Sequence, residues 1–198
     1  VRGGAGLALN TNVGLHRVRW DMRHEGAWDA ERPGFGGPLV APGQYQARLT
    51  ADGQSFMQSF FIRMDPRLQE TGVRLEDLRS QEELTLQVRD LLSDAKKVSD
   101  VITKRKTKLE EIIKNNKKAK DVEKAKQELL TVNQLYYELE MEEGRYMMPK
   151  LINQIQYLYS MINQADQRPG KDAFDQYHNL VKQFSNIKQQ WDKLNTKA

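Results

Sequence analysis

Three histidines are the side chains in this 198-residue chain best suited to acid–base or metal chemistry. No two of them stand at the spacing of a helical metal site, and the H-E-x-x-H pattern is missing from the sequence. His24 is followed by Glu25, but adjacent residues on a strand point their side chains to opposite faces. We therefore expect surface or interface roles for His16, His24 and His178 rather than catalysis or metal binding.

Paired carboxylates and glycine-rich stretches are the other candidates for chemistry. Adjacent residues on a helix do not face each other, so the pairs at 82–83, 110–111 and 142–143 are expected to be solvated charge. The glycine-rich stretches at 2–6 and 33–38 lack the P-loop pattern and are expected to form turns. The chain has no cysteine, which excludes thiolate chemistry and disulfides. The sequence predicts a protein that is not an enzyme and holds no cofactor or metal.

Basic side chains concentrate in one segment. Residues 96–126 contain twelve Lys/Arg and five Asp/Glu, a net +7, whereas the remainder of the chain carries −3. A nucleic acid or another anionic surface could bind here, with Lys104, Arg105 and Lys106 as contacts. The run 104–120 has no aromatic residue or glycine to pack on bases, which disfavours nucleic acid and favours a solvated loop between helices.

Tyrosine and methionine gather between residues 136 and 159. The loop G-R-Y-M-M-P at 144–149 is a candidate partner-binding surface through Arg145, Tyr146, Met147 and Met148. The alternative is core packing, because half of this cluster falls on apolar helical stripes, as Tyr136 and Tyr159 do. Its other tyrosines are Tyr137, Tyr146 and Tyr157.

The elements that position these residues follow two periodicities. Up to residue 64, apolar side chains alternate with polar ones, which predicts strands at 14–23, 45–50 and 55–64. The last two strands are joined through Asp52-Gly53, which predicts a hairpin, and a long loop spans 24–43. Asp65-Pro66 ends the β region. Trp20, Phe56 and Phe60 are expected to be buried, and residues 1–13 could supply a fourth strand.

Beyond Leu75 the apolar spacing changes to three and four residues. A long helix is predicted up to a break at 114–121, a second one ends near Gly144, and a third begins with Pro149 in its first turn. A fourth follows the stop at 165–170. The predicted class is α+β: a partial antiparallel β segment at 1–70, then an antiparallel bundle of three to four long helices at 71–198. The β segment alone is expected to be marginally stable, and the helical part to melt as a unit.

Two stretches resemble the Ig-like segment near the C-terminus of large exported bacterial β-propeller proteins with sortilin-like or Asp-box (BNR) repeats, often labelled glycosyl hydrolase-like. The first is G-L-H-R-V-R-W-D-M-R at 14–23, where His16 replaces the usual Asn. The second, at 37–67, contains G-P, P-G-Q-Y-Q-A-R-L and D-P-R. Flagellar hook-capping proteins share the P-G-x-Y element, but the order of Ig-like segment, D-P-R and helices is more specific. Stretches within 77–102 and 147–180 resemble the helical tail of the same proteins.

The resemblance implies that the propeller and the first Ig-like strands lie outside these 198 residues, and that any catalysis belongs to the propeller. We therefore expect a non-catalytic accessory or interaction module that is exported to the periplasm, cell surface or medium. Its expected partners are its own parent propeller and other envelope or extracellular proteins. One alternative is a substrate-presenting part of a secreted glycosidase-like hydrolase, and a second is a basic helical nucleic-acid binder. No apolar run is long enough to span a bilayer.

Overall fold

The computed structural model describes residues 11–30, 36–115, 118–140 and 147–196, which form a two-stranded antiparallel sheet followed by helices. The strands are β1 (Gly43–Ala51) and β2 (Gln54–Ile62). The helices are α1 (Pro66–Glu70), α2 (Leu75–Asn115), α3 (Ala119–Leu139), α4 (Leu151–Ile162) and α5 (Lys171–Thr196). The predicted α+β class is confirmed at this level.

The hairpin forms where its turn residues predict it. Asp52 and Gly53 have φ angles of 49° and 75°. Positive φ at both central residues defines the type I′ turn, whose twist matches that of the flanking strands. The register pairs Ala51 with Gln54 and continues without a bulge to Gly43 and Ile62.

The predicted strand at 14–23 is wrong. Within the described residues this stretch makes one isolated bridge, between Arg23 and Leu39, and Met22 next to it has φ of 57°. Val18 and Met22, which alternation would place on the same face as Trp20, are 49% and 48% exposed. Alternation of apolar and polar residues does not by itself supply a strand to pair with. Here only Arg23 pairs, with Leu39. Of the proposed fourth strand, residues 1–10 lie outside the described residues and 11–13 are not a strand.

The four predicted helical segments are helical in the structure, but their ends differ from the prediction. The second long helix ends at Leu139, earlier than the predicted Gly144, and residues 141–146 lie outside the described part of the chain. The third begins at Leu151 after its N-cap Lys150, so Pro149 precedes the helix instead of occupying its first turn. The five-residue helix α1, with Asp65 as its N-cap, was not predicted. Single-sequence patterns locate a helix better than they locate its caps.

The four long helices share one hydrophobic core. It contains, among others, Leu84, Val88, Ile102, Val132, Leu135, Ile155, Leu158, Leu180 and Trp191. The pairing of α2 with α3 is antiparallel, because Ser99 contacts Glu140 whereas Arg105, further along α2, contacts the earlier Glu128. Gln81 joins α2 to the end of α4 by donating to the carbonyl oxygens of Ile162 and Ala165, at 2.6 and 2.7 Å.

Residues 23–30 lie along α2 and are held there by four polar contacts. His24 Nε2 is 2.6 Å from Glu82 Oε1, and the two side chains are 12% and 19% exposed. Lys96 Nζ donates to Asp29 Oδ2 at 2.6 Å. The others are Arg89 to the carbonyl oxygen of Glu25, and the Trp28 amide to Ser93 Oγ. Positions 82, 89, 93 and 96 form one stripe of α2, so the segment follows a single helical face.

Residues 36–40 continue this attachment. Tyr159 on α4 donates its hydroxyl to the carbonyl oxygen of Gly36 at 2.7 Å, and burial raises the pKa of that tyrosine. The amides of His24 and Val40 donate to the carbonyl oxygens of Pro38 and Met22, both at 2.9 Å. These contacts connect the chain that enters β1 to both α2 and α4. The β and helical parts are therefore joined through residues 22–30 and 36–40 as well as through α1.

No helix in the described ranges combines the length and apolar character that crossing a bilayer requires.

Candidate interaction surface

The hairpin exposes apolar side chains on both of its faces. Residues directly opposite each other share a face, so Leu49 and Phe56 lie on one face and Met57 on the other. Phe56 and Met57 are 57% and 61% exposed, and Leu49 is about half exposed. We call Leu49, Phe56 and Met57 the tip patch. The predicted burial of Phe56 is wrong, because no described residue covers this half of the sheet.

The base of the hairpin is covered by Trp20. Its ring centroid lies 5.9 Å from that of Tyr45 and 6.2 Å from that of Phe60, which are themselves paired across the strands. Its indole Nε1 donates to the carbonyl oxygen of Arg23 at 3.0 Å. Trp20 and Phe60 are half-buried, so full burial is not reached and Trp20→Ala should cost less than a completely buried tryptophan.

Tyr45 fixes the hairpin to the preceding chain. Its hydroxyl donates to the carbonyl oxygen of Ala41 at 2.6 Å. Burial raises the pKa of Tyr45, the carboxylate of Glu82 raises it further, and the guanidinium group of Arg79 lowers it. Both charged groups belong to α2. The base of the sheet is thus held close to the helical part, while the tip patch projects away from it.

Both outer edges of the sheet are unpaired among the described residues. In a β-turn the first and fourth residues are hydrogen-bonded, here Ala51 and Gln54, and hydrogen-bonded pairs then alternate along the strands. The outward N–H and C=O groups of β2 therefore belong to Ser55, Met57, Ser59 and Phe61. No charged residue or proline occurs between Gln54 and Ile62. Soluble proteins normally protect such edges, so this one is suited to accept another strand.

An open groove of about 1030 Å³ lies between the base of the hairpin and the α1–α2 connection. We call it the base groove. Its apolar lining includes Phe61, which is 70% exposed, together with Ile62 and Val73. Its polar lining includes Arg63, Arg74 and Arg79, and no aspartate or glutamate among the described residues lines it. The groove therefore combines an apolar surface with positive charge.

The three arginines of the base groove keep their charge available. Among the described residues their guanidinium groups make no ion pair. The neighbouring Arg67 differs, because Asp65 pairs with it at 2.6 Å, and its hydrogen bonds lower the pKa of that carboxyl to about 2. Asp65 is therefore ionised at neutral pH. It pairs with Arg67 and not with the three arginines of the base groove.

Carboxylates are also present next to the base groove. Glu76 and Asp77 occupy the first turn of α2, where acidic side chains favourably meet the positive end of the helix dipole. Asp77 accepts a hydrogen bond from the backbone amide of Arg74 at 2.9 Å. That contact uses the peptide N–H, so the Arg74 side chain stays available to a ligand.

Comparison with known proteins leaves this surface to be interpreted from its own geometry. No protein-family model, no curated protein and no solved structure matches the chain.

The predicted basic contacts at 104–106 are engaged within the helical part. Lys104 pairs with Asp100 one turn earlier on α2, at 2.6 Å. Arg105 reaches across to Glu128 on α3, and its Nε lies 2.6 Å from Oε1. Lys106 Nζ lies 4.9 Å from the ring centroid of Tyr136. These contacts give each of the three cations an intramolecular partner. Less of their charge is therefore available to bind a nucleic acid or a protein.

Arg105 should therefore contribute to stability. Glu128 is 14% exposed and Arg105 33% exposed at their side chains. Removing the cation leaves a mostly buried carboxylate unpaired, so Arg105→Met should lower the free energy of unfolding by about 1–3 kcal/mol. Lys104→Met is the matched control: Lys104 is 70% exposed, and the change should stay within about 0.5 kcal/mol. Urea unfolding followed by circular dichroism measures both, and equal effects would contradict the structural role of Arg105.

The predicted tyrosine–methionine surface is divided by the structure. Arg145 and Tyr146 lie outside the described residues. Met148 is 79% exposed and Met147 about one-third exposed, just before α4. Tyr136 packs against the core and Tyr159 bonds to Gly36, whereas Tyr157 is exposed. The exposed members of the predicted surface are Tyr137, Met147, Met148 and Tyr157.

The histidines do not converge. His24 pairs with Glu82, His16 contacts the carbonyl oxygen of Asn12, and the ring of His178 lies 5.6 Å from that of Tyr177. Within the described ranges, no group of three His, Cys, Asp or Glu side chains is placed to hold a metal ion. His24 and Glu82 join two segments of the fold, which is the interface role expected for a histidine.

Sequence reasoning missed the base groove. Its arginines come from the end of β2, the α1–α2 connection and the second turn of α2, so no local run of basic residues marks them. Arg79 has Glu82 and Glu83 at the three- and four-residue spacing of helical ion pairs, so the sequence favours an ordinary solvated helix surface there. Only the fold shows that the three arginines line the same groove.

Proposed function

We propose that this chain is a non-catalytic interaction module of a larger exported protein, in which the hairpin docks on a β-rich partner. The observation that carries the proposal is the hairpin itself: its base is fixed to the helical part, while its tip patch and both edges are uncovered by described residues. A two-stranded hairpin alone is marginally stable in water, and a third strand or a covering surface is what normally stabilises it.

The resemblance at 14–23 and 37–67 supports one identity for the partner. We propose that the hairpin is part of an Ig-like segment that completes itself against an exported Asp-box β-propeller protein. The helices would then be an accessory bundle of three to four long members. Propeller blades are antiparallel sheets with short edges, which suit contact with an uncharged strand.

The attachment of the hairpin supports a role in docking. Residues 22–30 and 36–40 join the base of β1 to α2 and α4 through the contacts of His24 and Tyr159. A partner bound at the tip patch would therefore be held at a defined orientation to the helices. A hairpin on a free linker would bind without transmitting any orientation.

Binding of a purified Asp-box propeller of the resembled family tests the proposal. Leu49→Ser combined with Phe56→Ser removes the two exposed apolar side chains of the tip patch that share a hairpin face. If docking buries both, affinity should fall by about 3 kcal/mol, roughly a hundredfold. Isothermal titration calorimetry measures the loss.

The matched control is Tyr157→Ser, which removes a side chain of α4 that is 67% exposed. It should leave the affinity for the propeller unchanged, and circular dichroism should show that all three proteins are folded alike. Absence of binding by the unmodified chain, or equal binding by the Leu49/Phe56 variant, would overturn the proposal.

A further inference from the structure

We propose that the base groove binds an extended acidic peptide segment of a partner protein, with its apolar side chains against Phe61, Ile62 and Val73 and its carboxylates facing Arg63, Arg74 and Arg79. This inference rests on the proposed function as an interaction module and names the chemistry of the partner. The tip patch and the base groove lie at opposite ends of the hairpin and share no residue, so they can be tested separately.

Charge complementarity is the first argument. Three guanidinium groups line the groove, no carboxylate lines it, and none of the three forms an ion pair among the described residues. Like charges held on one surface without counter-charges repel each other, and an anionic ligand relieves that repulsion. Arginine also pairs with carboxylates through two parallel hydrogen bonds, which gives direction as well as attraction.

The apolar lining is the second argument, because it selects among anionic ligands. Phe61 is 70% exposed although it lies at the base of the hairpin, where Tyr45 and Phe60 on the other face are covered by Trp20. An apolar side chain of a ligand can cover Phe61, and an inorganic anion cannot. Aromatic side chains with arginines nearby are also the composition typical of interface hot spots.

The unpaired edge of β2 favours a peptide over a nucleic acid or a lipid headgroup. The outward N–H groups of Ser59 and Phe61 lead directly to the groove, where Phe61 and Arg63 line it. The Ser59 carbonyl oxygen accepts a hydrogen bond from the exposed Gln58 side chain at 3.1 Å, which an incoming strand would have to displace or share. Only another polypeptide backbone offers donors and acceptors at the strand repeat. An added strand then places alternate side chains on one face, which matches alternating carboxylate and apolar residues.

Selection from a phage-displayed library of random linear peptides tests the inference on the full chain. We expect enrichment of peptides that alternate Asp or Glu with apolar residues. Their affinity, measured by fluorescence anisotropy, should fall with rising salt and drop about tenfold or more in the combined variant Arg63→Gln, Arg74→Gln and Arg79→Gln. Hydrogen exchange should slow at the amides of Ser59 and Phe61 when peptide is bound.

The matched control removes the same charge elsewhere, from exposed lysines of α2 and α3, as Lys97→Gln, Lys108→Gln and Lys126→Gln. It should bind the selected peptides like the unmodified chain. The proposal is overturned if no peptides are enriched, if they lack acidic residues, or if the arginine variant binds them equally well. Displacement of peptide by duplex DNA or by anionic lipid vesicles at lower concentrations than by acidic peptide would also overturn it.

The two proposals fail differently. If the tip-patch variant loses propeller binding but no peptides are selected, the docking proposal stands and the base-groove proposal falls. If acidic peptides are selected but the chain does not bind the propeller, the base-groove proposal stands and the propeller is not the partner.

Discussion

Replacing Trp191 by alanine is expected to lower the free energy of unfolding by about 3–5 kcal/mol. The indole is 5% exposed near the end of α5, on the same stripe as Leu180, Phe184 and Ile187. These side chains belong to the core shared by the four long helices. Removing the ring takes a large apolar area out of contact and leaves a cavity that helices fixed by their other contacts cannot fully close.

The matched control is Leu130→Ala on α3. Leu130 is 66% exposed, so the same kind of truncation should change the free energy of unfolding by no more than about 0.5 kcal/mol. Urea unfolding followed by circular dichroism is the suitable measurement, because Trp191 itself contributes to tryptophan fluorescence. A loss below about 1 kcal/mol for Trp191→Ala would show that α5 is not an integral part of the helical core.

The helical part could be predicted from the sequence because its signal is local. In α2, buried Leu84, Val88, Leu91 and Ala95 recur at spacings of three and four. This spacing predicts which face of the helix is buried. The same holds for α5. The helix ends were less well predicted, because a cap such as Lys150 depends on the geometry of the entering chain.

The β part was predicted only where the turn specifies the pairing. Asp52-Gly53 fixes the register of β1 and β2, and that register is observed. The stretch 14–23 alternates equally well, but its partner would have to come from a distant part of the chain. Phe56 shows the same limit: alternation places it on the face of Phe60, yet covering that face requires residues that periodicity does not identify.

The base groove could not have been predicted, because its residues are brought together by tertiary packing. Arg63 follows β2, Arg74 precedes α2, and Arg79 lies within α2. Their convergence depends on the short helix α1, whose N-cap Asp65 turns the chain between the hairpin and α2. The contacts of residues 22–30 and 36–40 with α2 and α4 then connect the chain that enters β1 to the helical part. The candidate surface therefore depends on how firmly the hairpin is joined to the helices.

That joint should be broken by Gly37→Ala. A Cβ at Gly37 would overlap the carbonyl group of His24, whose carbon would be 2.6 Å away, and would lie 2.8 Å from the carbonyl carbon of Glu25. Both obstacles are backbone, so the two segments must separate. The hydrogen bonds of the His24 and Val40 amides and the His24–Glu82 contact would be lost with them. We expect a loss of about 3 kcal/mol in the free energy of unfolding.

The effect of Gly37→Ala should be concentrated where the segments part. Hydrogen exchange at the amides of His24 and Val40 should accelerate strongly, while amides in the centre of α2 should change only as far as global stability falls. Gly43→Ala is the matched control, because the nearest atom to its added Cβ is a ring carbon of Tyr45 at 3.8 Å, an ordinary contact. It should leave exchange at both amides unchanged. Equal protection in the two variants would show that residues 22–30 and 36–40 do not hold the hairpin to the helices. The fixed orientation on which the docking proposal depends would then have no physical basis.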